Sequence, residues 1–201
     1  MPELTYEHAP VPVRKDLAAA HQDTWRHLAA PGTWLHGATR LAIAAEVRNA
    51  GSCALCAERK KALSPYSIEG VHDHSGALPD PMVEAVHRIV TDPARLTREW
   101  YRSLMEDGLE ETSYVETVSV VGLTVAVDTF CRSLGLPQHA LPSPADGEPS
   151  RLRPPEAAPG PAWVPWISRE DAVAYPEDVF APEASNVQRA LSLVPDSCRA
   201  F

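Results

Sequence analysis

Cys53 and Cys56 stand three positions apart, behind a Gly51-Ser52 break and ahead of the charged run Glu58-Arg59-Lys60-Lys61. Gly51 tolerates left-handed backbone angles and is a natural helix stop. Ser52 is a favourable N-cap for a new helix. This places Cys53 at the first helical position and Cys56 about one turn later, on the same face. Unpaired N–H groups and the positive end of the helix dipole surround such a turn, and both stabilise a thiolate. Thiolates attack peroxides and disulfides, so the pair reads first as a redox dithiol. Two other readings compete: half of a metal site, or two small buried residues. A zinc site needs about four Cys or His ligands, usually with a second close pair. Cys131 and Cys198 are too far apart to supply one, although His72 and His74 can in principle complete a site. On this balance no metal and no cofactor is expected.

A reactive thiol needs a group to take its proton, and several residues qualify. Glu46 sits late in the apolar stretch Ala42–Val47, where burial raises a carboxyl pKa and makes it a base. Its plainer reading is surface pairing with Arg48 or Lys60. Glu116 precedes Val118, Val120 and Val121, and a lone carboxylate there is costly unless paired. Lys60 can depress a cysteine pKa by its charge, but belongs first to a solvated face. His72 and His74 flank Asp73 in a long connection, where histidines shuttle protons or simply face water. Glu84 and His87 form a single Glu-x-x-His pair; di-iron bundles use two such pairs, and no second one exists here. Cys131 and Cys198 read as buried, unreactive thiols.

The positioning elements are helical throughout. Apolar spacing at Leu17, Ala20, Trp25 and Leu28 predicts a helix over 13–28, broken by Pro31-Gly32. Thr33 is positioned to cap a second helix reaching Asn49, and the cysteine helix should stop at Ser64-Pro65. A functional connection over 64–80 precedes a helix from Pro81 to Val90, and another short helix spans 97–105. The longest helix starts at Glu110 or Glu111, runs to Leu134 and closes at Gly135; its stretch 118–127 is apolar on nearly every side, so it should be central and fully surrounded. Beyond Pro137, eight prolines from Pro142 to Pro165 exclude regular helices, and Trp163 and Trp166 should pin this segment to the body. Ser168 opens a capping box, and a last helix starts near Ser185 with Val187, Leu191 and Val194 facing inward. No period-two strand pattern persists. The expected fold is all-α: an extended arm over 1–12, a helical domain over 13–137, and a Pro-rich segment with C-terminal helices over 138–201.

With 201 residues, 44% hydrophobic and 22% charged, the chain can bury a substantial core. Its formal net charge of -9 and lack of a basic cluster argue against nucleic acid as a partner. Four cysteines are too few for a disulfide scaffold. The opening residues lack a basic region followed by an apolar core, and no apolar run approaches the roughly 20 residues of a membrane span. A cytoplasmic protein without a membrane partner, its dithiol reduced at rest, is expected.

A helix ending in Ala-Gly, followed by Cys-x-x-Cys opening the next helix within an all-α chain, resembles the AhpD-like alkylhydroperoxidase and carboxymuconolactone decarboxylase superfamily over residues 25–137. The segment 185–192 is similar to a helix that these proteins often carry near their N-termini. The resemblance implies a helical homo-oligomer, associating through its long helices, whose dithiol reduces hydroperoxides or exchanges electrons with a protein disulfide or dithiol. It also implies Cys56 as the attacking thiol, whereas helix-dipole reasoning favours Cys53. The family's relay histidine, four residues after the second cysteine, is replaced by Lys60; its glutamate, twelve residues before the first, is replaced by Leu41. Another acid–base group must serve, with Glu46 first, then Glu116, Lys60 and His74. Two rival readings stand beside this one: a redox-sensitive helical binding protein, favoured by the changes at Leu41 and Lys60, and a decarboxylase- or isomerase-like enzyme that uses Glu46 and the histidine loop without thiol chemistry.

Overall fold

The computed structural model describes residues 4–175 and 185–200, and these are helical with a single isolated bridge between Ala158 and Trp166. The chain order is α1 (Lys15–Ala29), α2 (Gly37–Ala50), α3 (Ala54–Lys61), α4 (Asp80–Thr91), α5 (Arg98–Glu106), α6 (Glu111–Ser133), α7 (Arg169–Ala172), α8 (Asn186–Ala190) and α9 (Pro195–Ala200). Short 3-10 turns stand at Pro65–Ser67, Pro93–Arg95 and Leu191–Leu193. The all-α expectation holds.

Helices α2, α4 and α6 pack on one another in a three-way core, with α1 against α2 and α9 against α1. Each turns a contiguous apolar face inward: Ile43, Ala44 and Val47 from α2, Val83, Ala85 and Val86 from α4, and Val120, Val121, Leu123 and Val127 from α6. Truncating any of the larger of these to alanine leaves a cavity costing about 2–5 kcal/mol. Leu4 and Tyr6 of the arm, and Leu191, Leu193 and Val194 near the C-terminus, join the same core. By length and composition α6 qualifies to cross a membrane, but 67% of its most apolar stretch is buried in the chain's own interior. It is the core helix of a bundle. It is not fully surrounded, however: Val125 is 38% exposed and Ala126 faces outward, so one strip of the expected all-round burial stays uncovered by the described residues.

Two helix starts differ from expectation, each because a distant carboxylate captures backbone N–H groups. Thr33 does not cap α2, which begins four residues later at Gly37. The N–H groups of Trp34 and Leu35 instead donate to Glu116 Oε2 at 2.6 and 3.1 Å, holding this stretch out of the helix. Ser52 does not cap α3 either. Its hydroxyl donates back to the Asn49 carbonyl at 2.9 Å, Cys53 occupies the N-cap position, and Asp73 Oδ2 accepts from the Ala54 N–H at 2.8 Å. Gly51 ends α2 with φ −65°, a right-handed angle that any residue can adopt. Helix α3 stops at Lys61, short of Ser64-Pro65.

The Pro-rich stretch runs as a strap over α1 and the loop after it. Ala145, Ser150 and Arg151 donate their N–H groups to the carbonyls of Ala29, Gly32 and Thr33. Trp166 stacks under the Arg189 guanidinium at 4.1 Å, and Trp163 lies beside Tyr101 with ring centroids 6.2 Å apart. Ser168 Oγ caps α7 by accepting from the Asp171 N–H. Leu191 and Val194 are buried as expected; the side chain of Val187 lies outside the described residues.

Candidate functional site

The turn from α2 into α3, the loop over 70–76 and the inner face of α4 meet at one point. Cys53 sits at the N-cap of α3 and Cys56 on its first turn, their sulfurs 3.7 Å apart. Leu55 and Ile68 pack around them, leaving Cys53 2% and Cys56 3% exposed. Because Asp73 reaches back to cap α3, the preceding residue, His72, is drawn over both thiols. His72 Nδ1 lies 3.5 Å from Cys53 Sγ and 3.4 Å from Cys56 Sγ.

His87 reaches the pair from the other side. It occupies the core face of α4 with Val83 and Val86 and is fully buried. A buried imidazole is tolerable only if both nitrogens find partners. Nδ1 lies 3.3 Å from Cys56 Sγ, and Nε2 donates to Glu46 Oε1 at 2.8 Å. Asn49 also donates to that carboxylate, at 2.9 Å. His72 is backed in the same way: its Nε2 meets Glu84 Oε2 at 2.7 Å, while Arg59 and Trp100 donate to Glu84 at 2.8 and 3.0 Å. Each histidine thus turns its Nδ1 to the sulfurs and its Nε2 to a carboxylate, which fixes ring orientation and proton position together.

The electrostatics follow from these contacts. Burial raises the Cys53 pKa, but hydrogen bonds from the Cys56 backbone, His72 and the Asp73 backbone outweigh it and hold the thiol below its ordinary value. Burial likewise opposes charge on His72, yet its bonds to Cys56, Glu84 and Cys53 carry it up to about 10. Glu84 is drawn down to about 2 against its own burial, by His72 and then Arg59. His87 moves the other way: burial first, and the nearby charge of His72, hold it below the usual imidazole range despite Glu46. Glu46 stays below the ordinary carboxyl value because His87 and Asn49 offset its burial. The resulting pattern sets Cys53, a thiol of lowered pKa, beside the His72 imidazolium, with the His87 imidazole, biased towards its neutral form, on the far side of Cys56.

The expected residues divide clearly. Cys53, Cys56 and Glu46 belong to the cluster, Glu46 through His87 rather than by touching sulfur. His74 stands beside it, accepting from the Gly76 N–H at 3.1 Å and lining two clefts. One, of about 440 Å³, is bounded by Glu46, Asn49, Asp73 and Ser75; the other, of about 170 Å³, by Gly70, His72, Val83 and Glu84. Lys60 is exposed on α3, and its carbonyl accepts from Arg95 at 3.2 Å. Glu116 forms a separate buried centre with Arg40, its Oε1 3.3 Å from Arg40 Nε. Gly32 leaves room for this pair, since a Cβ there would fall 1.7 Å from Glu116 Oε1 and displace it. Cys131 is buried beside the Tyr6 hydroxyl, and burial pushes the Cys198 thiol up to about 12.

His72 comes from the His-x-His pair weighed for proton transfer, while the sequence offers His87 and Glu84 only as a Glu-x-x-His metal pair and not as partners of the cysteines. The signal for the latter two was the Glu84-x-x-His87 spacing. Read as one unit it suggests a shared metal, whereas the two side chains serve different partners, Glu84 backing His72 and His87 contacting Cys56. No protein-family model, no curated protein and no solved structure matches this chain. The site's chemistry therefore rests on its geometry.

Proposed function

We propose that the chain is a thiol-dependent oxidoreductase in which Cys53 and Cys56 reduce a hydroperoxide, related in mechanism to the AhpD-like peroxidases that its Cys-x-x-Cys helix resembles. The observation that carries this reading is the placement of two carboxylate-backed imidazoles at 3.3–3.5 Å from the paired sulfurs. Each catalytic proton transfer needs such a group within hydrogen-bond reach.

Cys56 is the attacking residue in this scheme, because only its sulfur contacts both imidazoles. His87 takes the Cys56 proton as the sulfur bonds to the terminal peroxide oxygen. The O–O bond breaks, the alkoxide leaves with that proton as an alcohol, and Cys56 becomes a sulfenic acid. The Cys53 thiolate then attacks the Cys56 sulfur, the S–O bond breaks, and the departing hydroxide takes the His72 proton to leave as water. Two electrons pass from the sulfurs to the peroxide, and a dithiol reductant restores the pair by exchange. In a reducing compartment such as the cytoplasm the pair rests as thiols.

The test is turnover of cumene hydroperoxide with dithiothreitol, followed by mass spectrometry of the peptide holding both cysteines. Loss of two hydrogens on that peptide is expected, and Cys53→Ser should leave a sulfenic acid on Cys56 that dimedone traps. Consumption no faster than with dithiothreitol alone, or a linkage through Cys131 or Cys198, removes the proposal.

A further inference from the structure

We infer that Cys53, Cys56, His72 and His87 form a closed, tetrahedral binding site for one divalent zinc-type cation. The inference adds metal binding to the same dithiol, and only its redox consequence rests on the function proposed above.

Geometry carries it first. A tetrahedral zinc with Zn–S of about 2.3 Å and Zn–N of about 2.0–2.1 Å demands S–S edges of about 3.8 Å and S–N edges of about 3.5 Å. The sulfurs lie 3.7 Å apart, and three S–N separations are 3.5, 3.4 and 3.3 Å. The four ligand atoms all lie within 4.8 Å of one another, so the two remaining edges, ideally about 3.5 and 3.3 Å, close with about 1.5 Å of side-chain adjustment at most. Hydrogen bonding alone does not require four donor atoms to converge on one centre.

The second shell is independent support. Metal-bound histidines almost always donate the other ring N–H to a carboxylate or carbonyl, which fixes the tautomer and strengthens the ligand. Glu46 meets His87 Nε2 at 2.8 Å and Glu84 meets His72 Nε2 at 2.7 Å, so both Nδ1 atoms are turned to the cation position, His72 Nδ1 becoming a ligand as the cation displaces its proton. Asn49 steadies Glu46, and Arg59 and Trp100 steady Glu84. The donor set is two thiolates and two imidazoles, the chemistry zinc prefers, and four protein ligands leave no open position for a bound water. Burial of the ligands excludes competing solvent: Cys53 is 2%, Cys56 3% and His87 0% exposed.

Binding replaces two protons, one from Cys56 and one shared by His72 with the sulfurs, by one dication. The ion ties α3, the loop over 70–76 and α4 together and ends the thiols' nucleophilicity. Under the redox reading, a hydroperoxide and two protons convert the dithiolate into a disulfide, an alcohol and water, and the ion loses two of its four ligands and is expelled. The metal-bound protein is then the protected, reduced form.

The experiment uses full-length reduced protein stripped with a chelator, then titrated with Zn²⁺ and, in parallel, Co²⁺. Expected are one ion per chain, thiolate-to-cobalt charge-transfer bands with tetrahedral d–d bands, and alkylation of Cys53 and Cys56 slowed at least about tenfold by Zn²⁺ and restored by chelator. Glu84→Gln, which removes no ligand, should weaken affinity about 10–100-fold with the helical circular dichroism unchanged. Absence of binding at micromolar Zn²⁺, a cobalt spectrum without thiolate bands, or undiminished alkylation at saturating Zn²⁺ overturns the inference. The two readings separate cleanly. Zinc protection with no peroxide turnover in the stripped protein leaves the metal site and removes the peroxidase; turnover with no zinc binding does the reverse.

Discussion

Glu46 and His87, 41 positions apart, meet at 2.8 Å in a pocket where Glu46 is 1% and His87 0% exposed. The carboxylate on α2 fixes which way the α4 imidazole faces, and so turns Nδ1 onto Cys56. Glu46 reaches the Cys56 sulfur only by way of this ring.

That relay has a graded consequence. His87→Gln removes the base at similar volume and should slow peroxide-driven formation of the Cys53–Cys56 disulfide by about two to four orders of magnitude. Glu46→Gln keeps the imidazole but loosens it, and a loss of about 10–100-fold is expected, as for other outer-shell partners. Stopped-flow kinetics on metal-stripped protein measures both. Equal effects would mean that Glu46 touches the reacting groups directly, and an unchanged rate in Glu46→Gln would leave it a purely structural residue.

Glu116 should behave oppositely. It is buried against Arg40 and also accepts from the Trp34 and Leu35 N–H groups, while burial pushes its carboxyl above the ordinary value. Breaking a buried ion pair costs about 3–5 kcal/mol. At about 2–4 °C per kcal/mol for a chain of this size, Glu116→Gln should lower Tm by roughly 6–20 °C and leave the thiol reaction rate unaltered. Replacing Arg40 and Glu116 together should recover only part of this, since two backbone donors remain unpaired. Thermal unfolding followed by circular dichroism, with the peroxide assay alongside, decides the matter.

Asp73→Ala removes the remote cap of α3, the bond to the Ala54 N–H at 2.8 Å. A lost cap costs about 1 kcal/mol, so Tm should fall by about 2–4 °C. The same change detaches the loop that carries His72 across the sulfurs, and iodoacetamide should reach Cys53 and Cys56 faster. A slower or unchanged alkylation rate would mean that this loop does not control access.

A pH effect on stability is expected from His27, away from the thiols. Burial, and then the charge of Arg40, lower its pKa to about 4, with Asp196 opposing; its Nε2 faces Ser197 Oγ at 3.2 Å. The unfolded chain has an ordinary imidazole of about 6.5, so between these values it binds more protons than the folded one. Stability therefore falls as pH drops from about 6.5 to 4 and is insensitive to His27 above that window. Urea midpoints across pH 4–7 should flatten in His27→Gln, and parallel profiles for the two proteins would contradict the assignment.

Local sequence carried most of the secondary structure. Prolines and glycines punctuate the chain, and α4, α5 and α6 begin and end within a residue or so of the sequence-derived limits. Cys53 and Cys56 were legible for the same reason: three-residue spacing at a helix start is a local property. Tertiary structure alone decided the rest. Asp73 supersedes Ser52 as the cap of α3, and Glu116 draws Trp34 and Leu35 out of the helix that Thr33 promised, because a fully placed carboxylate outcompetes a weak local cap. The spacing of Glu84 and His87 puts them on adjacent turns of α4, but only packing against α3 and the loop over 70–76 gives the first to His72 and the second to Cys56. Hydrogen bonds among groups 16, 31 and 41 positions apart leave no periodicity in a sequence, and these bonds set the surroundings of the two cysteines.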